Sequence, residues 1–150
     1  MKTQTLLFLS SFLFLIACGT EQTSSNDETT KVETEYNIPN LELDNGAHWQ
    51  ANIETTDGIF AMIELMDSFS DKEAVPAYNE LAESLTDEFN DIFKNCTMVG
   101  ESHNQLHNYL LPLKEIIEGL RSSELNICRS SFADLERHLG QYFDFFENEH

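Results

Sequence analysis

Apolar side chains recur every three or four positions from about Trp49 almost to the C-terminus, after a long polar stretch. Ile59, Met62, Met66 and Phe69 are spaced three, four, three, which predicts a helix from about Thr56 to Phe69. Tyr78, Ala82, Leu85, Phe89, Ile92 and Cys96 form the seam of a second helix, from about Val75 to Asn95. His103, Leu106, Leu110, Leu113, Ile117 and Leu120 share one stripe of a third, from about Ser102 to Arg121. Leu125, Cys128, Phe132, Leu135, Leu139, Tyr142 and Phe146 repeat with heptad-like regularity in a fourth, from about Ser123 to Glu147. Three or four apolar residues per two turns make a core-facing stripe. No alternating segment is long enough to nominate a sheet.

The links between these helices are short. Residues 70–74 precede Pro76, which suits a first helical turn. Gly100 lies in the second link and suits a helix end, and Ser122-Ser123-Glu124 offers an N-cap. Short links make consecutive helices antiparallel neighbours, so the expected fold is all-α, an up-down-up-down four-helix bundle over residues 47–150. Pro112 is the one local conflict. It removes a backbone donor and clashes with the preceding turn, so the third helix is expected to kink or split there.

Ahead of the bundle, residues 19–46 are rich in Thr, Ser, Glu, Asp and Asn. Such a stretch buries too little apolar surface to offset its ordering entropy, and it reads as a disordered acidic tether. Lys2 and the apolar run Leu6 to Ile16 read as the start of a signal peptide, the run being too short to span a bilayer. Leu15-Ile16-Ala17-Cys18 resembles the lipobox of bacterial lipoprotein precursors. That resemblance implies a signal peptide at 1–17, and a Cys18 that becomes the mature N-terminus and carries acyl chains on its sulfur and amine. The tether then covers 18–46. Several acyl chains together anchor a protein stably in a lipid bilayer. Gly19 is not the aspartate linked to inner-membrane retention in enteric lipoproteins, so the outer membrane, facing the periplasm, is the expected address.

Charge narrows the partners. Twenty-seven acidic residues face eight basic ones, and loss of Lys2 with the signal peptide takes the formal net charge from −19 to −20. That field argues against nucleic acid and anionic head groups, and it permits cationic partners, including metal ions. It equally describes a solvated surface that keeps an exported protein soluble. Cys96 and Cys128 remain as thiols. They fall near opposite ends of the expected bundle, separated by more than about 20 Å of helix, too far to form a disulfide.

The expected topology gathers scattered side chains at one pole. Cys96, Met98, His103 and His107 lie around one interhelical link, with the two histidines four residues apart on one face. Thiolate, thioether and imidazole together suit copper, above all copper(I), or zinc. Met62 and His138 are candidate additional ligands. The competing reading is packing: Cys96 and His103 sit on apolar seams, methionine is an adaptable core filler, and His138 reads as an ordinary rim histidine. Met62 and His138 also make a conceivable axial pair for a noncovalent haem, since no Cys-x-x-Cys-His attachment motif is present. A glycine-rich phosphate loop, a Gly-x-Ser-x-Gly elbow and paired Glu-x-x-His ligands are all missing, which argues against an enzyme.

Leu43-Asp44-Asn45-Gly46 through Trp49, with Cys96-Thr97-Met98-Val99-Gly100 and the His103 to His107 pair, resembles a largely uncharacterised group of small bacterial exported helical lipoproteins. The resemblance implies that the Cys-x-Met-x-Gly turn and the two histidines belong together. The expected function is therefore binding or buffering of a soft metal, copper first, by a lipid-anchored envelope protein without enzymatic activity. The alternative is an envelope interaction module whose acidic faces dock a basic protein partner.

Overall fold

The computed structural model describes residues 36–148. The expected signal peptide, the expected lipidation site Cys18 and residues 18–35 of the expected tether lie outside the described residues. The described chain is mostly helical. Four long helices, α1 (Ile53–Ser68), α2 (Val75–Asn95), α3 (Gly100–Gly119) and α4 (Leu125–Gly140), are followed by the single turn α5 (Tyr142–Phe145). Two three-residue strands, β1 (Trp49–Ala51) and β2 (Phe146–Asn148), pair in parallel with Trp49 opposite Phe146.

Each long helix buries most of its predicted stripe, while Phe69, Cys96, His103 and Leu125 are only partly buried. Helix α2 has the bounds its periodicity predicts, Pro76 sits in its first turn, and Tyr78, Ala82, Leu85, Phe89 and Ile92 are all buried. Helix α1 packs on α2 and α4, and α3 packs on the same two helices, so one core runs between all four. Helix α3 passes through Pro112 as one unbroken element, so the expected split does not occur. Leu110 and Leu113, on either side of the proline, remain buried and hold the two halves in register.

Three expectations need correction. Helix α4 stops at Gly140 instead of continuing to Glu147, and the chain turns through α5 into β2. The residues beyond Gly140 are aromatic-rich and suit a strand. Tyr142 and Phe146 keep helical spacing, yet they stack on each other at 5.0 Å after the backbone has left the helix. A small sheet is present where none was expected, because its two strands lie at opposite ends of the domain sequence.

The ordered domain also begins before residue 47. Ile38 and Leu41 are buried in the core, the Asn108 side chain donates to the Asn40 carbonyl at 2.7 Å, and the Glu42 amide donates to Gln105 at 2.9 Å. A tight Asn45-Gly46 turn, both residues at positive φ, closes a bridge between Asp44 and Ala47. It folds the chain back so that the Trp49 indole donates to the Glu42 carbonyl. Residues 36–48 are therefore a strap across the helices.

Candidate functional site

Cys96, Met98, His103 and His107 sit where α2 ends and α3 begins. Cys96 caps α2 in an extended conformation, Val99 caps α3 likewise, and Gly100 opens α3 at a φ of 71°. Only glycine adopts that left-handed geometry without strain, so Gly100 sets the corner that swings the first turn of α3 beside Cys96. His103 and His107 then leave one face of α3, four residues apart.

The three polar groups form a row. Cys96 Sγ lies 3.6 Å from His103 Nδ1, and His103 Nε2 lies 3.0 Å from His107 Nε2. The two rings meet edge to face, with centroids 4.5 Å apart, and Phe93 of α2 closes the far side of His107 at 5.5 Å. Two facing imidazole nitrogens need one hydrogen between them. If His103 holds it, His103 Nδ1 accepts from the Cys96 thiol. If His107 holds it, His103 Nδ1 carries a hydrogen and faces the sulfur as a donor. Either way the row is an unbroken thiol–imidazole–imidazole hydrogen-bonded chain.

Around this row the polar framework is fixed. The Glu101 carboxylate accepts from Asn104 at 3.0 Å and from Gln105 at 3.1 Å, and these bonds hold its pKa below the usual carboxylate value. The Tyr142 phenol, on the Cys96 side, shares a 2.9 Å hydrogen bond with Thr56. Burial pushes its pKa up to about 12, the Thr56 bond opposes the shift, and the Cys96 sulfur adds to it. His48 faces Glu147 across the strand pair at 3.8 Å.

The expected four-ligand set is not assembled around one point. Cys96 and His107 meet opposite nitrogens of the same ring, so no single ion touches all three side chains as they stand. Among the described residues no group of three or more His, Cys, Asp or Glu side chains is gathered as a metal site. Met98 and Met62 are both buried in the core cluster, in the role that the packing reading gave to methionine. Cys96 and Cys128 are both free thiols. Cys128 donates to the Leu120 and Ser122 carbonyls at the far end of α3.

His138 is corrected most. It is fully buried, not a rim residue. Its Nε2 lies 2.8 Å from the Tyr109 carbonyl, an acceptor only, so Nε2 carries the hydrogen. Its Nδ1 accepts from the Tyr36 hydroxyl at 3.1 Å. Both ring nitrogens are thus hydrogen-bonded to protein groups. Burial lowers the His138 pKa, opposed by the Tyr109 bond.

Sequence reasoning did not single out Phe93, Tyr36 or Tyr109. Phe93 was signalled by its place one turn beyond Phe89, whose ring it meets at 4.9 Å. Tyr36, Ile38 and Leu41 form a sparse apolar run inside an otherwise polar stretch. Compared with known protein families, curated proteins and solved structures, the chain matches none.

Proposed function

We propose that this protein is a lipid-anchored envelope domain that captures a soft metal ion, copper first, through His103 and His107, with Cys96 as a recruited thiol. The observation that carries the reading is the facing pair of Nε2 atoms at 3.0 Å. A position that holds one proton between two imidazole lone pairs is also a position for a cation. Replacement of that proton by an ion at about 2.0–2.1 Å from each nitrogen requires only small ring adjustments. Cys96 adds its sulfur when the His103 ring turns, since soft sulfur with imidazole favours copper or zinc over hard cations. Phe93 gives the pair an apolar flank.

The anchor at Cys18 and the signal peptide at 1–17 belong to the same proposal, with the outer membrane facing the periplasm as address. No helix among the described residues is long and apolar enough to cross a membrane, which is compatible with attachment through a lipid. An up-down-up-down order of the four helices fits the neighbour pairs α1 with α2, α2 with α3, α3 with α4 and α4 with α1. The domain acts by binding and carries out no reaction.

The test is metal content by plasma mass spectrometry on the purified full chain, after reduction and separate incubation with copper(I), copper(II) and zinc. About one ion per chain is expected, with loss in the His103→Ala/His107→Ala double variant and weaker retention in Cys96→Ser. Full retention in the double variant overturns this site. A folded wild-type chain that keeps no ion overturns metal capture altogether.

A further inference from the structure

Along the seam between α1 and α4 lies a cleft of about 240 Å³, on a different part of the fold from the histidine row. Its floor is apolar, formed by Ile63, Met66 and Leu139, and its rim carries the carboxylates of Asp67 and Glu136. Neither carboxylate has a cationic partner among the described residues. Gly140 completes the lining.

Gly140 is not required by the backbone or by packing. Its φ is not in the left-handed region, and a Cβ placed there meets nothing within 4 Å. Gly58 and Gly119 differ, because a Cβ at either would press within 2.4 Å of Ile92 and 2.2 Å of Ser131. Those two glycines let helices approach. Gly140 only leaves a notch open at the end of α4, a position where most other residues are better helix formers.

The seam continues into exposed aromatic surface. Phe60 is one turn before Ile63 on α1, and Phe143 is three residues past Gly140. Their rings meet at 4.9 Å and are 49% and 38% exposed. Two large aromatic side chains held together in water, beside an apolar notch rimmed by two unpaired carboxylates, define an amphipathic acceptor.

The geometry points to a docking groove for a basic amphipathic segment of a partner protein. One lysine or arginine enters the Gly140 notch, with its aliphatic stem on Met66 and Leu139 and its charge between Asp67 and Glu136. An apolar neighbour in the segment covers Phe60 and Phe143. Charge selects this occupant over an acidic or neutral one: the chain carries −19, and two of its carboxylates line the notch without a cationic partner among the described residues.

The test is calorimetric titration of the full chain with a short synthetic helical peptide carrying one lysine one turn from a leucine, alongside a twin with norleucine for lysine. Methyl resonances of Ile63 and Met66 locate the site. The lysine peptide should bind, shift those methyls and weaken with added salt. Gly140→Leu, whose Cβ would meet nothing within 4 Å and whose side chain projects into the notch, should weaken it about tenfold or more, as should Asp67→Asn/Glu136→Gln. Unchanged thermal stability of both variants ties the loss to the groove. The inference is overturned if the lysine peptide does not bind, if the norleucine twin binds equally well, or if both variants bind as the parent does. It is also overturned in favour of a second copy of this chain if the protein alone self-associates and Gly140→Leu abolishes that.

Discussion

His138 and the His103–His107 pair are the same residue type put to opposite uses. His138 is closed on every side: Tyr109 takes its hydrogen, Tyr36 fills its lone pair, and no part of it reaches solvent. His103 and His107 are only half-buried, and each spends a nitrogen on the other. A histidine whose two nitrogens are met by fixed protein groups holds the fold together. A histidine whose partner is another titratable side chain keeps a replaceable proton. The difference lies in what faces the ring, and it separates His138 from the pair proposed as the site.

The sharpest way to break this contrast is His138→Ala. It leaves a cavity, strips the Tyr109 carbonyl of its donor and frees the Tyr36 hydroxyl, so a stability loss of about 3 kcal/mol is expected in urea denaturation. A loss below about 1 kcal/mol would show that His138 is no structural centre.

Acid sharpens the same contrast with a smaller effect. His138 is neutral in the folded protein and its pKa is lowered from 6.5 by burial, while the unfolded chain binds a proton near the ordinary value. Stability from this group is therefore complete above about pH 6.5 and declines as pH falls toward the lowered folded value. The slope approaches at most about 1.4 kcal/mol per pH unit. His138→Gln should remove that slope between pH 6.5 and 5, measured as the difference between parent and variant denaturation midpoints. An identical slope in both proteins would assign the acid sensitivity to other groups.

Tyr36→Phe deletes one hydroxyl from the His138 side and leaves the ring. A cost of about 1 kcal/mol is expected, together with faster amide exchange through residues 36–42. Smallest of all, His107→Ala should change stability by no more than about 0.5 kcal/mol while it removes ion binding. If that variant unfolds the domain, the row belongs with His138 as a structural element.

The helices were legible because their order is local. Helix α2 follows its predicted bounds from Val75 to Asn95, since one stripe and one proline decide it without help from the rest of the chain. The His103–His107 pair was legible for the same reason, because four residues on a helix make neighbours wherever the helix lies. His138 was not, because its environment is set by Tyr36 and Tyr109, 102 and 29 residues away. The end of α4 was hidden by Tyr142 and Phe146, whose spacing of four suits a helix although a ring stack satisfies it equally well. The start of the domain was hidden by composition: Ile38 and Leu41 are too few to mark a core segment until the groove that receives them is known.

The parallel pairing of β1 with β2 joins residues 97 positions apart and lays the first strand of the domain beside the last. Parallel strands entered from one end and left from the other are loaded along their length when the chain ends are pulled apart. Once the strap of residues 36–48 has peeled, such a force meets the backbone hydrogen bonds of the pair together, in shear, before it reaches any helix. Six residues of sheet would thus bear a load applied between the N-terminal side of β1 and the C-terminal side of β2 before the helices do.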